Sequence, residues 1–302
     1  MKAVNLFAGW GGFTEGAELA GVDVVWAANH WPLAVEAHAR NHPRTAHVCQ
    51  DLRQADFTRL PRFDLLLASP ACQGHSTASQ PIRTVKHDAD RATAWAVIDC
   101  AEATTPAAIV IENVPAFRRW LLFPVWREAL VRLGYHVTEH DAHATAFGVP
   151  QRRHRLIILA TRKPTAIELP AVTVEPPIGP CIELDAGTWR PTTMASPNAR
   201  ARFAKARANW GRRFLSQHVT GHPGVPLDQP IRTITTKDQW VIVDGDRYRS
   251  LSIREHARAM SFRDSYAWPA DATREDCIKG LGNAVPPLVA KGVVHAVANA
   301  IS

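Results

Sequence analysis

An α/β fold built on a parallel sheet, with a second and smaller domain appended, is what this sequence predicts. Three observations carry it. Short apolar runs of strand length recur through residues 3–161 and alternate with stretches of helical texture, the pattern of strands joined by helical crossovers. Two of those runs, Phe63-Asp64-Leu65-Leu66-Leu67-Ala68, with five apolar residues around one Asp, and Ala107-Ala108-Ile109-Val110-Ile111, read as strands buried on both faces. From Lys163 the texture changes: Pro164, Pro170, Pro176, Pro177 and Pro180 break any long element and mark a domain boundary.

Length allows this, since 302 residues hold a large domain and a smaller one. The apolar content of 46% and charged content of 21% are those of an ordinary globular protein. A formal charge of +7 suits a polyanionic partner. The five cysteines are dispersed and never spaced as CxxC, so neither a disulfide framework nor a metal site is expected. Met1-Lys2 leads straight into a strand, and no apolar run approaches the roughly 20 residues of a membrane span. An intracellular protein without membrane contact is the expectation.

Residues 3–7 read as the first strand, Ala8-Gly9-Trp10-Gly11-Gly12-Phe13 as the turn after it, and 14–20 as a helix capped by Thr14 and stopped by Gly21. A glycine-rich turn there lets backbone approach a ligand closely, and suits NAD, FAD, a nucleotide or S-adenosylmethionine alike. A dinucleotide site also calls for a carboxylate about 20 positions on. The second strand, 22–28, ends instead in Asn29-His30-Trp31, which disfavours an ordinary dinucleotide enzyme. A helix over 33–41 and a short third strand ending near Cys49 bring Asp51 to the same rim. The fourth strand runs through Leu67-Ala68 into Ser69-Pro70-Ala71-Cys72, and residues 76–90, poor in apolar anchors, read as a mobile loop. A helix over 91–104 precedes the fifth strand, which delivers Glu112-Asn113-Val114-Pro115.

Next come a helix over 123–133, with Pro124 in its first turn and Gly134 ending it, and a strand over 135–138. Gln151-Arg152-Arg153-His154-Arg155 then runs into a strand over 156–161. Past the boundary, residues 198–215 form a basic, partly helical stretch with Arg200, Arg202 and Arg207, either a phosphate-binding surface or a solvated helix face. A Pro/Gly-rich stretch over 221–230 precedes Arg232-Thr233-Ile234-Thr235-Thr236, and 249–259 reads as helical. A closing helix carries Val289, Val293, Val297 and Ile301 four apart on one face.

Ligands of doubly wound sheets bind outside the carboxyl ends of the strands. Three groups of chemical interest fall there: Cys72, Glu112 and the pair Arg153/Arg155. A cation lowers the pKa of a nearby thiol, and a carboxylic acid beside a nucleophile can protonate the substrate it attacks. Each residue alone could be a buried cysteine, a helix cap or a surface arginine; placement on one rim argues for a joint role.

Six motifs, taken in order, resemble those of the DNA cytosine-5 methyltransferases across nearly the whole chain. Leu6-Phe7-Ala8-Gly9-Trp10-Gly11-Gly12-Phe13 resembles the cofactor loop, and Ala71-Cys72-Gln73-Gly74-His75-Ser76 the catalytic loop. Glu112-Asn113-Val114 and Gln151-Arg152-Arg153-His154-Arg155 match the family's Glu-Asn-Val and Gln-x-Arg-x-Arg. Arg254-Glu255-His256-Ala257-Arg258 with Phe262-Arg263-Asp264, and Gly282-Asn283-Ala284-Val285, resemble the two C-terminal motifs.

The resemblance implies a Rossmann-like class I methyltransferase sheet over 1–164, completed by 270–302, and a small domain over 165–269 whose segment from about 165 to 235 recognises the target. It implies S-adenosylmethionine as cofactor, with Phe7 and Trp31 about the adenine and Asp51 accepting from its amino group. Ala8, Gly9, Gly11 and Gly12 would form the loop, His30 would meet the ribose, and Asn283 and Val285 would close the pocket. Cys72 would be the nucleophile, Glu112 the proton donor, and Arg153 or Arg155 the carbonyl ligand, with Gln73 and Ser76 in the catalytic loop. Thr235, Arg200, Arg202 and Arg207 would meet double-stranded DNA. The implied enzyme is a cytoplasmic monomer, bacterial or phage-encoded, whose partner could be a restriction endonuclease encoded separately.

Two departures stand out. Ala71 replaces the proline usual before the cysteine, and His30 replaces the glutamate usual at the ribose, so weaker cofactor binding is expected. Neutral imidazole accepts one hydrogen bond where a carboxylate can hold both hydroxyls. A tRNA cytosine methyltransferase of the same fold is the main alternative, although the recognition segment is longer and more basic than that reading suggests. A catalytically silent DNA-binding relative would be expected to lose Cys72 or Glu112, and both are present.

Overall fold

Strands that are apolar on both sides need cover on both sides, and that requirement organises the larger part of the molecule. A computed structural model describes residues 1–71 and 92–302; Cys72, Gln73, Ser76 and the loop expected over 76–90 lie outside the described residues. The main strands are β1 (Lys2–Leu6), β2 (Asp23–Asn29), β3 (Ala46–Cys49), β4 (Leu65–Ala68), β5 (Ala108–Asn113) and β6 (His136–His143). After the two-residue β7 (Gln151–Arg152) comes β8 (His154–Thr161), and the seven-stranded sheet has the order β3-β2-β1-β4-β5-β8-β6.

Alternation along the strands divides the core in two. Val4, Leu6, Leu66, Ile109, Ile111 and Ile158 pack with Val97 and Trp126 of α3 (Trp95–Thr104) and α4 (Phe123–Arg132). Leu65, Leu67, Val110 and Leu159 face the other way, against α1 (Gly12–Leu19) and the closing helix α8 (Pro287–Ile301), where the stripe Val289, Val293, Val297 is buried as its spacing predicts. A Cβ at Gly16 would stand 2.3 Å from Ala290 Cβ, so the α1–α8 contact requires glycine there. The helix α2 (Pro32–Asn41) joins β2 to β3.

Four expectations need correction. The sheet is mixed, because β8 runs antiparallel to both β5 and β6. A parallel pair needs a crossover of a dozen or more residues, and the link after His143 is only a single-turn 3-10 helix and β7. Helix α1 begins at Gly12 with Gly11 as a left-handed N-cap, not at Thr14. Thr14 is buried instead, its hydroxyl accepting from Asn5 Nδ2 at 2.9 Å and lying 2.8 Å from His38 Nε2. Arg249 belongs to a strand, with the following helix starting at Ile253. Finally, the stretch Arg274–Ile301 is long and apolar enough to cross a membrane by composition, contrary to expectation; half of its apolar 18-residue window is buried, and the second half of the stretch is the core helix α8.

Beyond Thr161 a second, antiparallel sheet forms from β9 (Arg190–Pro191), β10 (Arg213–Gln217), β12 (Trp240–Asp244) and β13 (Arg247–Ser250), in the order β10-β12-β13-β9. The basic stretch is the helix α5 (Pro197–Trp210), capped by Ser196, whose Phe203 and Ala206 cover Phe214, Val241 and Val243. Short β11 (Ile231–Arg232) pairs in parallel with β7 and ties the two parts together. Two more helices, α6 (Ile253–Ala259) and α7 (Arg274–Asn283), complete the chain.

The Arg-Glu-x-x-Arg motif turns out to be scaffold. Glu255 closes a capping box with Ser252 and takes Arg249 bidentately, at 2.7 Å to each carboxylate oxygen. Both side chains are buried, and Arg258 pairs with Asp264 at 2.6 Å and Glu183 at 2.7 Å. Removing one partner of a buried pair leaves an uncompensated charge, typically at a cost of about 3–5 kcal/mol. Arg249→Leu is therefore expected to lower the unfolding free energy by about that amount, read as a shifted urea midpoint; a change below about 1 kcal/mol would contradict the role.

Candidate active site

The carboxyl ends of β1, β2, β4 and β5 share one rim, held by hydrogen bonds between loops. Phe7 turns the chain away from β1 in a left-handed conformation (φ 61°), followed by Gly9 and Gly11 with φ of 52° and 80°. A non-glycine residue there is strained, a feature that clusters at ligand sites. Ala8 donates its N–H to Ala28 O at 3.0 Å, and Ser69 donates its N–H to Leu6 O at 3.3 Å. Asn113 Nδ2 donates to Pro70 O at 3.2 Å, and Ala71, the residue before Cys72, donates its N–H to Thr93 Oγ1 at 3.1 Å. Asn113 thus ties the loop after β4 to the one after β5, a role its place beside Glu112 could have suggested.

Glu112 ends β5 almost wholly buried. Arg155 Nε lies 2.9 Å from its Oε1, yet the approach misses hydrogen-bond geometry, and among the described residues Oε1 has no hydrogen-bond donor. A buried carboxylate oxygen with a cation beside it and no donor upon it is ready to receive a proton-bearing ligand. Arg153 is directed elsewhere: it is 2% exposed, its Nη2 donates to Gly282 O at 3.0 Å and Ala284 O at 2.9 Å, and its Nη1 to Ile234 O at 3.3 Å. Glu112, Arg153, Arg155 and Val285 line one narrow crevice. Roomier recesses, one with Lys2, Asp64 and Thr104 and another with His136 and Thr161, open at the opposite, amino-end edge of the sheet and hold none of these groups.

Gln151, quoted in a motif but given no role from sequence, is fully buried and links the two parts: its Oε1 accepts from Ile234 N at 2.8 Å, and its Nε2 donates to Ala259 O at 3.2 Å. Thr235 follows, exposed, with its backbone so close to Gly282 that a Cβ there would stand 2.4 Å from the Thr235 carbonyl. Val285 is buried, and its carbonyl lies against Gly12, where a Cβ would meet it at 2.0 Å. Asn283 is exposed at the end of α7. The C-terminal motif is thereby pressed onto the loop after β1.

At the end of β2, His30 is exposed and Trp31 half-buried, its ring edge-on to Trp10 at 5.3 Å and under Lys279 Nζ at 4.8 Å. Asp51 pairs with Arg53 at 2.5 Å, and those hydrogen bonds hold its carboxyl below the usual range, so it stays ionised. Among the described residues, nothing but the Phe7 carbonyl, at 3.9 Å, stands over Gly9, and α1 has no side-chain cap. An open backbone cradle, an uncapped helix start, an aromatic ring and a carboxylate fit a nucleoside-bearing, amino-acid-like cofactor.

The structure separates the three arginines expected to meet DNA. Arg207 donates to Gly245 O and pairs with Asp246 at the turn between β12 and β13. Arg200 is exposed, and the charge of Arg202 reaches His218 and His222, at the far end of β10. Among other described cysteines, burial pushes the thiols of Cys100 and Cys181 up to about 12 and about 11, unsuited to nucleophilic work. No group of three or more His, Cys, Asp or Glu side chains among the described residues is placed to hold a metal.

Sheet order, the reversed strand β8 and the turn after β1 define a Rossmann-like methyltransferase fold. The model of the C-5 cytosine-specific DNA methylase family matches residues 1–180 and 188–299. Type II methyltransferase M1.HphI of Haemophilus parahaemolyticus is 26% identical, over 98% of this chain and 86% of that protein. M.AplI of Arthrospira platensis is 29% identical, over 98% and 85%. Among solved structures, a prophage-encoded DNA modification methyltransferase from E. coli superposes with a TM-score of 0.74 at 19% identity over 99% of both chains. S. pombe Dnmt2 methyltransferase gives 0.70 at 20% identity, over 99% of this chain and 97% of that one. This chain belongs to the C-5 cytosine-specific DNA methylase family, and it is a DNA cytosine-5 methyltransferase.

Proposed function

We propose that the chain methylates carbon 5 of a cytosine flipped out of a specific short double-stranded DNA sequence, through a covalent adduct on Cys72. The observation that carries this is Glu112 Oε1, buried, beside Arg155 and without a hydrogen-bond donor among the described residues. Ring atoms of a stacked base are out of reach, so the base must leave the duplex. The Cys72 thiolate then adds to carbon 6 while protonated Glu112 gives its proton to ring nitrogen 3, making carbon 5 nucleophilic. Arg155 binds the carbonyl oxygen, and Arg153 is a positioning residue that holds the backbone at Ile234, Gly282 and Ala284. After carbon 5 is methylated, loss of its proton and of the thiolate, with the nitrogen 3 proton returning to Glu112, restores the ring.

S-adenosylmethionine, when bound, supplies the electrophilic methyl group. Gly9, Gly11 and the start of α1 would hold its amino-acid end, Phe7 and Trp31 its adenine, Asp51 the adenine amino group and His30 one ribose hydroxyl, and Val285 would close the pocket. Restoring a carboxylate at the ribose by His30→Glu is expected to tighten the cofactor by about 0.5–1.5 kcal/mol, the net worth of one hydrogen bond; calorimetric titration showing weaker binding would remove His30 from the site. Residues 1–164 with 270–302 form the catalytic part, and 165–269 carry target recognition. Bisulfite sequencing of DNA from cells expressing the protein should reveal methylated cytosine within one recurrent sequence. Methylation confined to tRNA would support the RNA alternative and contradict this reading.

A further inference from the structure

We infer that Gln239 reads a guanine next to the target cytosine in the major groove, with its amide held in a donor-outward orientation by Gln217. This rests on the proposed function and names part of the sequence that the same site selects.

Position comes first. Arg153 and Gln151 fix Ile234 beside the crevice that holds Glu112, and the Thr235 backbone packs on Gly282. From Thr235 the chain runs exposed through Asp238 to half-buried Gln239. Four residues span at most about 14 Å when extended, so Gln239 lies within about one helical turn of DNA from the flipped base. It sits just before β12, and its carbonyl accepts the His218 N–H at 2.8 Å, which joins it to the end of β10. His218 feels the opposed charges of Arg202 and Asp238. The surroundings are rich in donors, with Lys237 and Arg232 both exposed.

The amide pair supplies the chemistry. Gln217 is 5% exposed, opposite Trp240 in the β10–β12 register. Its Nε2 donates to Gln239 Oε1 at 3.2 Å, and its own Oε1 has no hydrogen-bond partner among the described residues. An unpaired buried amide oxygen is costly in a native protein and needs a reason. Orientation of its neighbour is that reason: with Oε1 of Gln239 engaged from within, the two N–H groups of its amide are left for an outside partner. A glutamine usually reads adenine by using oxygen and nitrogen together. Here Oε1 is turned inward to Gln217, which leaves the N–H groups foremost; presented that way, they match the O6 and N7 acceptors of guanine and oppose the N4 donors of cytosine. In a merely structural pair, by contrast, the outer amide would be indifferent to the base.

The test compares wild type, Gln239→Ala, Gln239→Glu and Gln217→Leu by bisulfite sequencing, and by kcat/KM on duplexes with each flanking base replaced in turn. Wild type, read first, should methylate DNA in a sequence containing a flanking guanine; no methylation of DNA would overturn the proposed function and this inference with it. Gln239→Ala should remain active and lose about 5- to 150-fold discrimination at that one position, the scale of one base contact. Gln239→Glu should turn the preference toward a base bearing a donor. Gln217→Leu should relax the same position while kcat on the preferred duplex stays near wild type. An active Gln239→Ala enzyme with undiminished discrimination at every flanking position would overturn the inference.

Discussion

Cys72→Ser is expected to lower methylation by roughly 10³-fold or more, the scale on which loss of a covalent nucleophile is felt, while DNA and cofactor binding stay nearly unchanged. A serine hydroxyl remains protonated where a thiol can ionise, and only the anion adds to carbon 6. Single-turnover methylation, with binding measured separately by titration, checks both halves. Loss of binding in parallel with activity would mean that Cys72 supports the fold and not the chemistry.

Glu112→Gln is expected to reduce the single-turnover rate by about 10² to 10⁴, the usual worth of general acid catalysis. The amide has nearly the shape of the acid and can still hold the base, but it has no proton of suitable acidity to give. Because Glu112 lies at the end of β5 with Arg155 at 2.9 Å, the change also leaves the arginine without its anion. Unfolding measurements should therefore accompany the rates. A rate within about threefold of wild type would remove Glu112 from the mechanism.

The sheet was legible because a strand buried on both faces must be apolar throughout, as Leu65–Ala68 is. Its rim was legible too: strands that end in Asn29, Ser69 and Glu112 declare where polarity returns. The direction of β8 was not, since an apolar run reads the same in either sense and only the short link after His143 decides it. Residues 153 and 155 look alike in sequence, yet one is drawn under three carbonyls and the other faces Glu112. That division depends on how Gly282 and Ile234 pack, far along the chain. Arg249 read as helical because Arg and Ser carry no strand signal, and its partner Glu255 belonged to a motif whose purpose only packing reveals. Gln217 and Gln239 meet through antiparallel register alone, so neither had a local mark.

The central claim is that Cys72 attacks a cytosine whose ring is activated by Glu112. Incubating the enzyme and cofactor with duplex DNA carrying 5-fluorocytosine at the target tests it most directly, because fluorine at carbon 5 cannot leave as a proton does. The account predicts a stable protein–DNA adduct whose crosslinked peptide, identified by mass spectrometry, contains Cys72, and no such adduct with Cys72→Ser. An adduct on another residue, or one formed by the serine variant at the wild-type rate, would contradict it.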